Sequence, residues 1–222
     1  MNTQATWGAR RDGAATAKEL RDVAAALFWQ KGYAATSTRE LADALGVQRA
    51  SIYYHIRSKE DLLHDICIES LTNLSTAVTA AIAYEGDPVA RIKALIKAHV
   101  LAMLQDKAKH ATMLTELHSL TPERRTEVLA LRREYECLVR GVLAHAQDAG
   151  ALSRDLTANE LELGLLNLLN WTIFWEQPED DVDPDRLVEL FQHLYLRGAT
   201  PRDERPRSRP RREARSRPKG CG

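Results

Sequence analysis

Aromatic residues are scarce in this chain: three Phe, four Trp and six Tyr among 222 residues. Alternating runs of β-branched residues are missing too, so a sandwich or barrel lacks its raw material. No apolar stretch approaches the ~20 residues needed to cross a bilayer. The longest, residues 161–175, is interrupted by Glu162, Asn167 and Asn170. A signal-peptide core is absent from the N-terminus, so no export is expected. Cysteine is nearly absent. Cys67, Cys137 and Cys221 are widely spaced, with no CxxC or Cys/His pattern, which points to unpaired thiols in a cytoplasmic protein. GxSxG, Walker and dinucleotide fingerprints are also missing, and the expectation is a non-enzyme without cofactor.

What the chain has in abundance is Leu and Ala, the composition of an all-α protein. Its formal net charge is zero, but the distribution is uneven. Residues 1–64 carry nine Lys/Arg against seven Asp/Glu, a net +2. Residues 65–199 carry thirteen against twenty-one, a net −8, and residues 200–222 carry nine against three, a net +6. Overall neutrality therefore does not argue against a polyanionic partner, which would meet the two basic ends.

Residues 36–61 organise the rest. Ser37 can cap a helix and Glu40, three residues on, can complete a capping box. Leu41, Ala42 and Leu45 recur at helical spacing. Gly46 sits where the chain must turn sharply, because glycine accepts a left-handed backbone. Val47 is expected to plug between this helix and a second one over residues 48–54, with Ile52 pointing inward. Two helices joined by so short a turn cross steeply and leave one face of the second free for a DNA major groove. Gln48, Arg49, Ser51, Tyr53, Tyr54 and His55 supply the amide, guanidinium, hydroxyl and imidazole groups that meet base edges and phosphates. Ser58 is expected to cap the next helix, with Lys59 in its first turn.

The run from Phe28 through Gly32-Tyr33, Thr36-Ser37-Thr38-Arg39-Glu40-Leu41-Ala42, Leu45-Gly46-Val47, Ser51-Ile52-Tyr53-Tyr54-His55-Ile56 and Ser58-Lys59-Glu60-Asp61-Leu62 resembles the TetR family of bacterial transcriptional regulators. Ile56 departs from the usual Phe, and Gln48-Arg49-Ala50 from a common Ser-Lys-Gly. The second departure falls where operator sequence is read. The resemblance implies a homodimer that binds double-stranded DNA and a second helical domain that takes a small apolar effector. Thr36, Ser37, Thr38, Arg39, Gln48, Arg49, Ser51, Tyr53, Tyr54, His55 and Lys59 are the expected DNA-facing residues. Gln48 and Arg49 would read bases; Thr36, Ser37, Ser51, Tyr53 and Lys59 would hold phosphates.

The expected organisation is an arm over residues 1–15, a helix-turn-helix domain over 16–62, an effector and dimerisation domain over 63–199 and a basic tail over 200–222. Arg10 and Arg11 in the arm either belong to a disordered terminus or touch DNA. The tail is either a solubilising appendage or a polybasic tether. Thr16 with Glu19 predicts the first cap, and Gly32 the end of that helix. A long helix should run from Ser58 to about Tyr84. Asp87-Pro88, Thr121-Pro122, Thr157 with Glu160, and Asp183-Pro184 mark further starts. The helix opened by Thr157 is expected to end near Pro178.

Residues 161–175 are apolar nearly all round, as in a helix buried on more than one side. By the resemblance, one face of this stretch, together with Leu187, Leu190, Phe191, Leu194 and Tyr195, would pair with a second copy through the last two long helices. Another face would line the effector chamber, and Gly164 would mark a close approach. The ligand candidates are Met103, Leu117, Tyr135, Asn167, Asn170, Trp171, Phe174 and Trp175; core or interface aromatics are the plain alternative for the tryptophans. The Asn170-Trp171-Thr172 segment with Trp175 resembles one in members that answer to fatty-acyl or steroid-derived CoA thioesters. Lys93, Lys97, Arg132, Arg133 and Arg140 are available for such a ligand's phosphates. His99, His110, His118 and Glu116 lack metal-hydrolase spacing and read as surface groups or cavity-lining hydrogen-bond partners; no metal is expected. Two other function classes stay open: a constitutive DNA-binding module without ligand, and a small helical enzyme.

Overall fold

A computed structural model describes residues 13–174 and 183–200, and among them every regular element is helical. The helices are α1 (Gly13–Lys31), α2 (Thr38–Leu45), α3 (Arg49–Ile52), α4 (Lys59–Ile82), α5 (Pro88–Gln105), α6 (Lys107–Glu116), α7 (Pro122–Asp148), α8 (Ala158–Asn170) and α9 (Pro184–Ala199). Short 3₁₀ turns over Leu117–Ser119 and Trp171–Phe174 follow α6 and α8.

Local chemistry sets most boundaries. Ser37 Oγ accepts from the Glu40 N–H while Glu40 accepts from the Ser37 N–H, and Thr157 with Glu160 repeats the arrangement at α8. Asp87 caps α5 ahead of Pro88, and Ser58 caps α4. Gly46 takes φ 66°, the left-handed conformation the turn requires. Two expectations fail. The first helix begins at Gly13, so Thr16 lies inside it rather than at its cap. The helix after Thr157 stops at Asn170 and tightens into the 3₁₀ turn; residues 175–182, with Trp175 and Pro178, lie outside the described residues.

Two apolar cores form. The first joins Leu20, Ala24 and Phe28 of α1 to Leu41, Ala42, Ile52 and Ile56, and continues through Leu62, Ile66 and Leu71 of α4 to Met113, Leu120 and Val128. The second begins further along α4, at Leu74, Val78 and Ile82, and takes in one face each of α5, α7, α8 and α9. Helices α4 and α7 both run from one core into the other, and of the two it is α4 that begins directly after α3. Val47, expected as a plug, is more than a third exposed; Ile52 alone fills the space between α2 and α3.

Ionic ties brace the seam between the cores. Lys109 of α6 is nearly inaccessible, and its ammonium lies 2.7 Å from both Asp22 of α1 and Glu69 of α4. Arg124 of α7 pairs with Asp61 at the start of α4, and the Thr121 N–H donates to Glu60 at 2.8 Å. Trp29 of α1 packs against Met103, Ala111 and Ile173, so it touches the second half of the molecule rather than an outer edge.

Candidate DNA interface and effector cleft

Helix α3 is one turn long, shorter than the expected span of 48–54. Tyr53, Tyr54 and His55 continue as turns whose N–H groups bond back to Ser51 and Ile52. The buried Ile52 fixes its roll, which leaves Gln48, Arg49, Tyr53, Tyr54 and His55 exposed on one side and Ser51 half-buried. The Tyr53 hydroxyl stands 3.3 Å from Thr38 Oγ1 and accepts from Arg49 at 3.4 Å, and the Arg49 guanidinium lies over the Tyr53 ring. Those hydrogen bonds, from Thr38 first and Arg49 second, lower the Tyr53 pKa. Restrained this way, the face is an ordered set of donors on a convex surface, the shape a groove accepts. Ser37 and Arg39 flank it, also exposed. Glu40, held by the Ser37 N–H and then Lys31, is drawn down to about 2 and stays ionised, fixing the α2 start.

Two expected phosphate contacts do not belong to this face. Thr36 is 1 % exposed, and its hydroxyl donates to the Gly32 carbonyl at 2.9 Å. The Lys59 ammonium donates to the Tyr33 and Thr36 carbonyls at 2.7 and 2.8 Å and lies over the Tyr33 ring. Both residues fasten the α1–α2 loop to α4 from within.

Behind the head a cleft opens where the two cores meet. Its lining comes from α4 (Leu71, Leu74), α5 (His99), α6 (His110, Met113, Leu114), α7 (Arg132, Tyr135, Glu136) and α8 (Leu166, Asn170). The free space is narrow, about 20 Å³, on the order of one water. Of the seven ligand candidates among the described residues, only Tyr135 and Asn170 line it. Met103 is sealed in the cluster with Trp29, and Leu117 packs into the first core. Asn167 is exposed and bonds back to the Leu163 carbonyl, because the α8 phase turns it outward. Trp171 and Phe174 stack edge to face 4.9 Å apart but are 72 % and 50 % exposed. Leu163, Leu190 and Leu194 are exposed as well, whereas Leu187, Phe191 and Tyr195 are buried in the second core. Gly164 has open space beside it rather than a close neighbour.

Among the candidate cations, Arg132 lines the cleft, paired with Glu136 at 2.9 Å. Arg140 is committed to Glu162 and Lys97 to Asp185. His118 is exposed, but His99 and His110 are buried in the cleft wall. Their signal was in the sequence: His99 occupies a core position of the Ile92-Leu95-Ile96-Met103 stripe.

The model of bacterial regulatory proteins of the tetR family matches residues 20–66, and that of the tetracyclin repressor-like C-terminal domain matches residues 85–199. The chain belongs to the TetR family. Similar proteins include the transcriptional repressor KstR2 of Rhodococcus jostii, 30% identical over 182 residues, 81% of this chain and 89% of that one. The solved structure of PfmR, a TetR-family regulator from Thermus thermophilus, is 32% identical with a TM-score of 0.73, covering 80% of this chain and 97% of that one. AibR, solved in complex with isovaleryl coenzyme A and operator DNA, shares the fold with a TM-score of 0.70 at 23% identity, over 80% and 96% of the two chains. The TetR-type head is the surface around α3, and the C-terminal domain of the family holds the cleft. This TetR protein is a transcriptional regulator with a ligand-binding domain and not an enzyme. No helix among its described residues is long and apolar enough to cross a membrane.

Proposed function

We propose that the protein is a one-component repressor in the cytoplasm, binding a palindromic operator as a homodimer and released by an acyl-CoA-like effector. Each subunit lays α3 in a major groove. Gln48 and Arg49 read bases, while Ser37, Thr38, Arg39, Ser51, Tyr53, Tyr54 and His55 hold the backbone or the flanking base edges. Two-fold symmetry sets half-sites about one turn, ~34 Å, apart. The observation that carries the reading is α4, which holds the head at one end and the cleft wall in its middle. A ligand that wedges the cleft must push Leu71 and Leu74, and so tilt the head. It does so only by preferring the displaced state; each tenfold preference shifts the equilibrium by ~1.4 kcal/mol. The name of the KstR2 relative supports repression, and the isovaleryl coenzyme A of the AibR complex supports the ligand class.

Selection of bound fragments from random DNA, followed by anisotropy titration with and without acyl-CoAs, tests it. A palindrome whose affinity falls when a thioester is added is expected. Arg49→Ala should change the selected sequence; equal losses on operator and random DNA count against its assignment. The narrowness of the cleft favours a second reading, a constitutive module without effector. A ligand panel that leaves the melting temperature unmoved would support it.

A further inference from the structure

Four polar groups meet at the cleft without completing one another. His99 Nδ1 lies 2.7 Å from the Tyr135 hydroxyl, and His110 Nδ1 lies 2.9 Å from the Ser70 hydroxyl. The two rings stand 6.5 Å apart, line the same cleft and are 1 % and 2 % exposed. On each, the second ring nitrogen, Nε2, is buried without a well-formed hydrogen bond, although the Asn170 side chain lies close enough to His99 to interact with it, while His110 has no such neighbour. Buried polar groups are nearly always paired, so two like orphans on one cleft call for an explanation.

Hydrogen counting says what the orphans are. Each hydroxyl carries one hydrogen, and neither makes a second hydrogen bond among the described residues. When the hydroxyl donates to Nδ1, the ring proton sits on Nε2 and one group is left over. With the ring donating instead, a hydroxyl hydrogen and a ring lone pair are both left over. The first arrangement is the economical one. Burial, with His110 nearby, pushes His99 down to about 3, and burial pushes His110 to about 4, so both rings are neutral. The cleft therefore presents two uncharged N–H donors, the His99 one partly engaged by the Asn170 side chain, in a lining that mixes Leu71, Leu74, Met113, Leu114 and Leu166 with the Arg132–Glu136 pair.

We propose that His99 and His110 form a two-donor fork that holds an sp² oxygen of the effector, a carbonyl or a carboxylate, within the cleft. The proposal rests on the cleft being the effector site. One such oxygen has two lone pairs and can accept both N–H groups. Arg132 at the same cleft would then face the polar remainder of the molecule. Specificity follows: an analogue without the oxygen leaves the His110 donor unpaired and the His99 donor to Asn170 alone, and binds more weakly however well its chain fits.

The test uses the full-length wild-type protein and calorimetric titration. The probes are straight and branched acyl-CoAs from isovaleryl to decanoyl. Each is set beside its S-alkyl-CoA thioether, in which CH₂ replaces C=O, and beside its free acid. A thioether at least about tenfold weaker than its thioester (~1.4 kcal/mol) is expected. The His99→Phe/His110→Phe variant should bind the two alike. A free acid that binds tighter than its thioester, with proton uptake, also supports the fork and makes its oxygen a carboxylate. Thioester and thioether within about twofold of each other in the wild type would overturn the fork while leaving the effector reading intact. Binding of no probe at all would overturn both. If the double variant does not fold, histidine-ring ¹⁵N spectra of the wild type replace it. Expected are Nε2–H tautomers that shift with thioester and not with thioether; rings that do not respond overturn the proposal.

Discussion

Lys59 shows how a residue can look like one thing in sequence and do another. A lysine in the first turn of a helix beside a DNA-reading motif reads as a phosphate ligand, yet its ammonium closes the loop between α1 and α2. Lys59→Met should lower stability by about 1–2 kcal/mol, the range for a part-buried charged hydrogen bond. It should weaken operator binding without changing the salt slope. Losing a true phosphate contact would reduce that slope by about 1, so a shallower slope at unchanged melting temperature would refute the clamp. Thr36, Asn167 and Leu117 were misplaced for the same physical reason: residue type gives the chemistry, but the phase of the helix and its neighbours decide where the side chain points. His99 and His110 carry a prediction of their own. Their folded pKa values, about 3 and about 4, lie below the ordinary 6.5. The unfolded chain thus binds more protons below pH 6.5, and stability falls with pH in that window. Between pH 6.5 and 5 the loss should be about 1.6 kcal/mol per histidine. Urea titrations at pH 7, 6 and 5 on wild type and His110→Phe would measure it; identical slopes would show that His110 is not buried neutral. Burial raises the carboxylates Asp22 and Glu69, but Lys109 together with Lys18 at Asp22 and with Arg21 at Glu69 lowers both overall, so they lose their contribution only at more acidic pH.

At the scale of the element, α4 is the part on which the proposed regulation turns. Leu71 belongs to the head core and Leu74 to the effector core, with the exposed Thr72 and Asn73 between them. A rigid helix carries a push at Leu74 to the head; a softened one absorbs it. Replacing Thr72 and Asn73 together by Gly costs about 1 kcal/mol in helix propensity and removes no core contact. The expected result is operator affinity within about threefold of wild type, with the effector-induced loss of affinity reduced about tenfold. A full response in this variant would place the coupling elsewhere, in the Arg124–Asp61 tie or the Lys109 cluster. This helix was legible beforehand because its signals are local: the Ser58 cap and an unbroken apolar period. So were α2, α5 and α8 at their starts, each set by a side chain three residues from the amide it caps. The end of α8 was not, because nothing in Trp171-Thr172-Ile173-Phe174 forbids another α-turn. There Thr172 turns inward to the Leu169 carbonyl and Ile173 into the cluster with Met103, so tertiary packing sets the tightening.

For the whole molecule, what matters is what covers the large apolar residues that α8, the turn after it and α9 leave exposed. Leu163, Trp171, Phe174, Leu190 and Leu194 are all exposed in the single chain, a density of large apolar groups that monomers seldom leave wet. The resemblance to a dimeric family and the amphipathic split of α9 point to a second copy as the cover. In α9, Leu187, Phe191 and Tyr195 are buried, whereas Leu190 and Leu194 are not. Only a dimer presents two heads at fixed separation, and only fixed separation turns a small tilt of α4 into a mismatch with two grooves. Leu194→Glu places a charge on that face and touches neither core. Sedimentation should then report a monomer, with melting of the head little changed. Affinity for a palindromic operator should fall by about 100-fold or more, towards that for a single half-site, because the second head no longer arrives at high effective concentration. A variant that stays dimeric would move the interface off this face. A monomer that binds the full palindrome as tightly as wild type would remove the need for paired heads, and with it the mechanism by which a narrow cleft controls DNA.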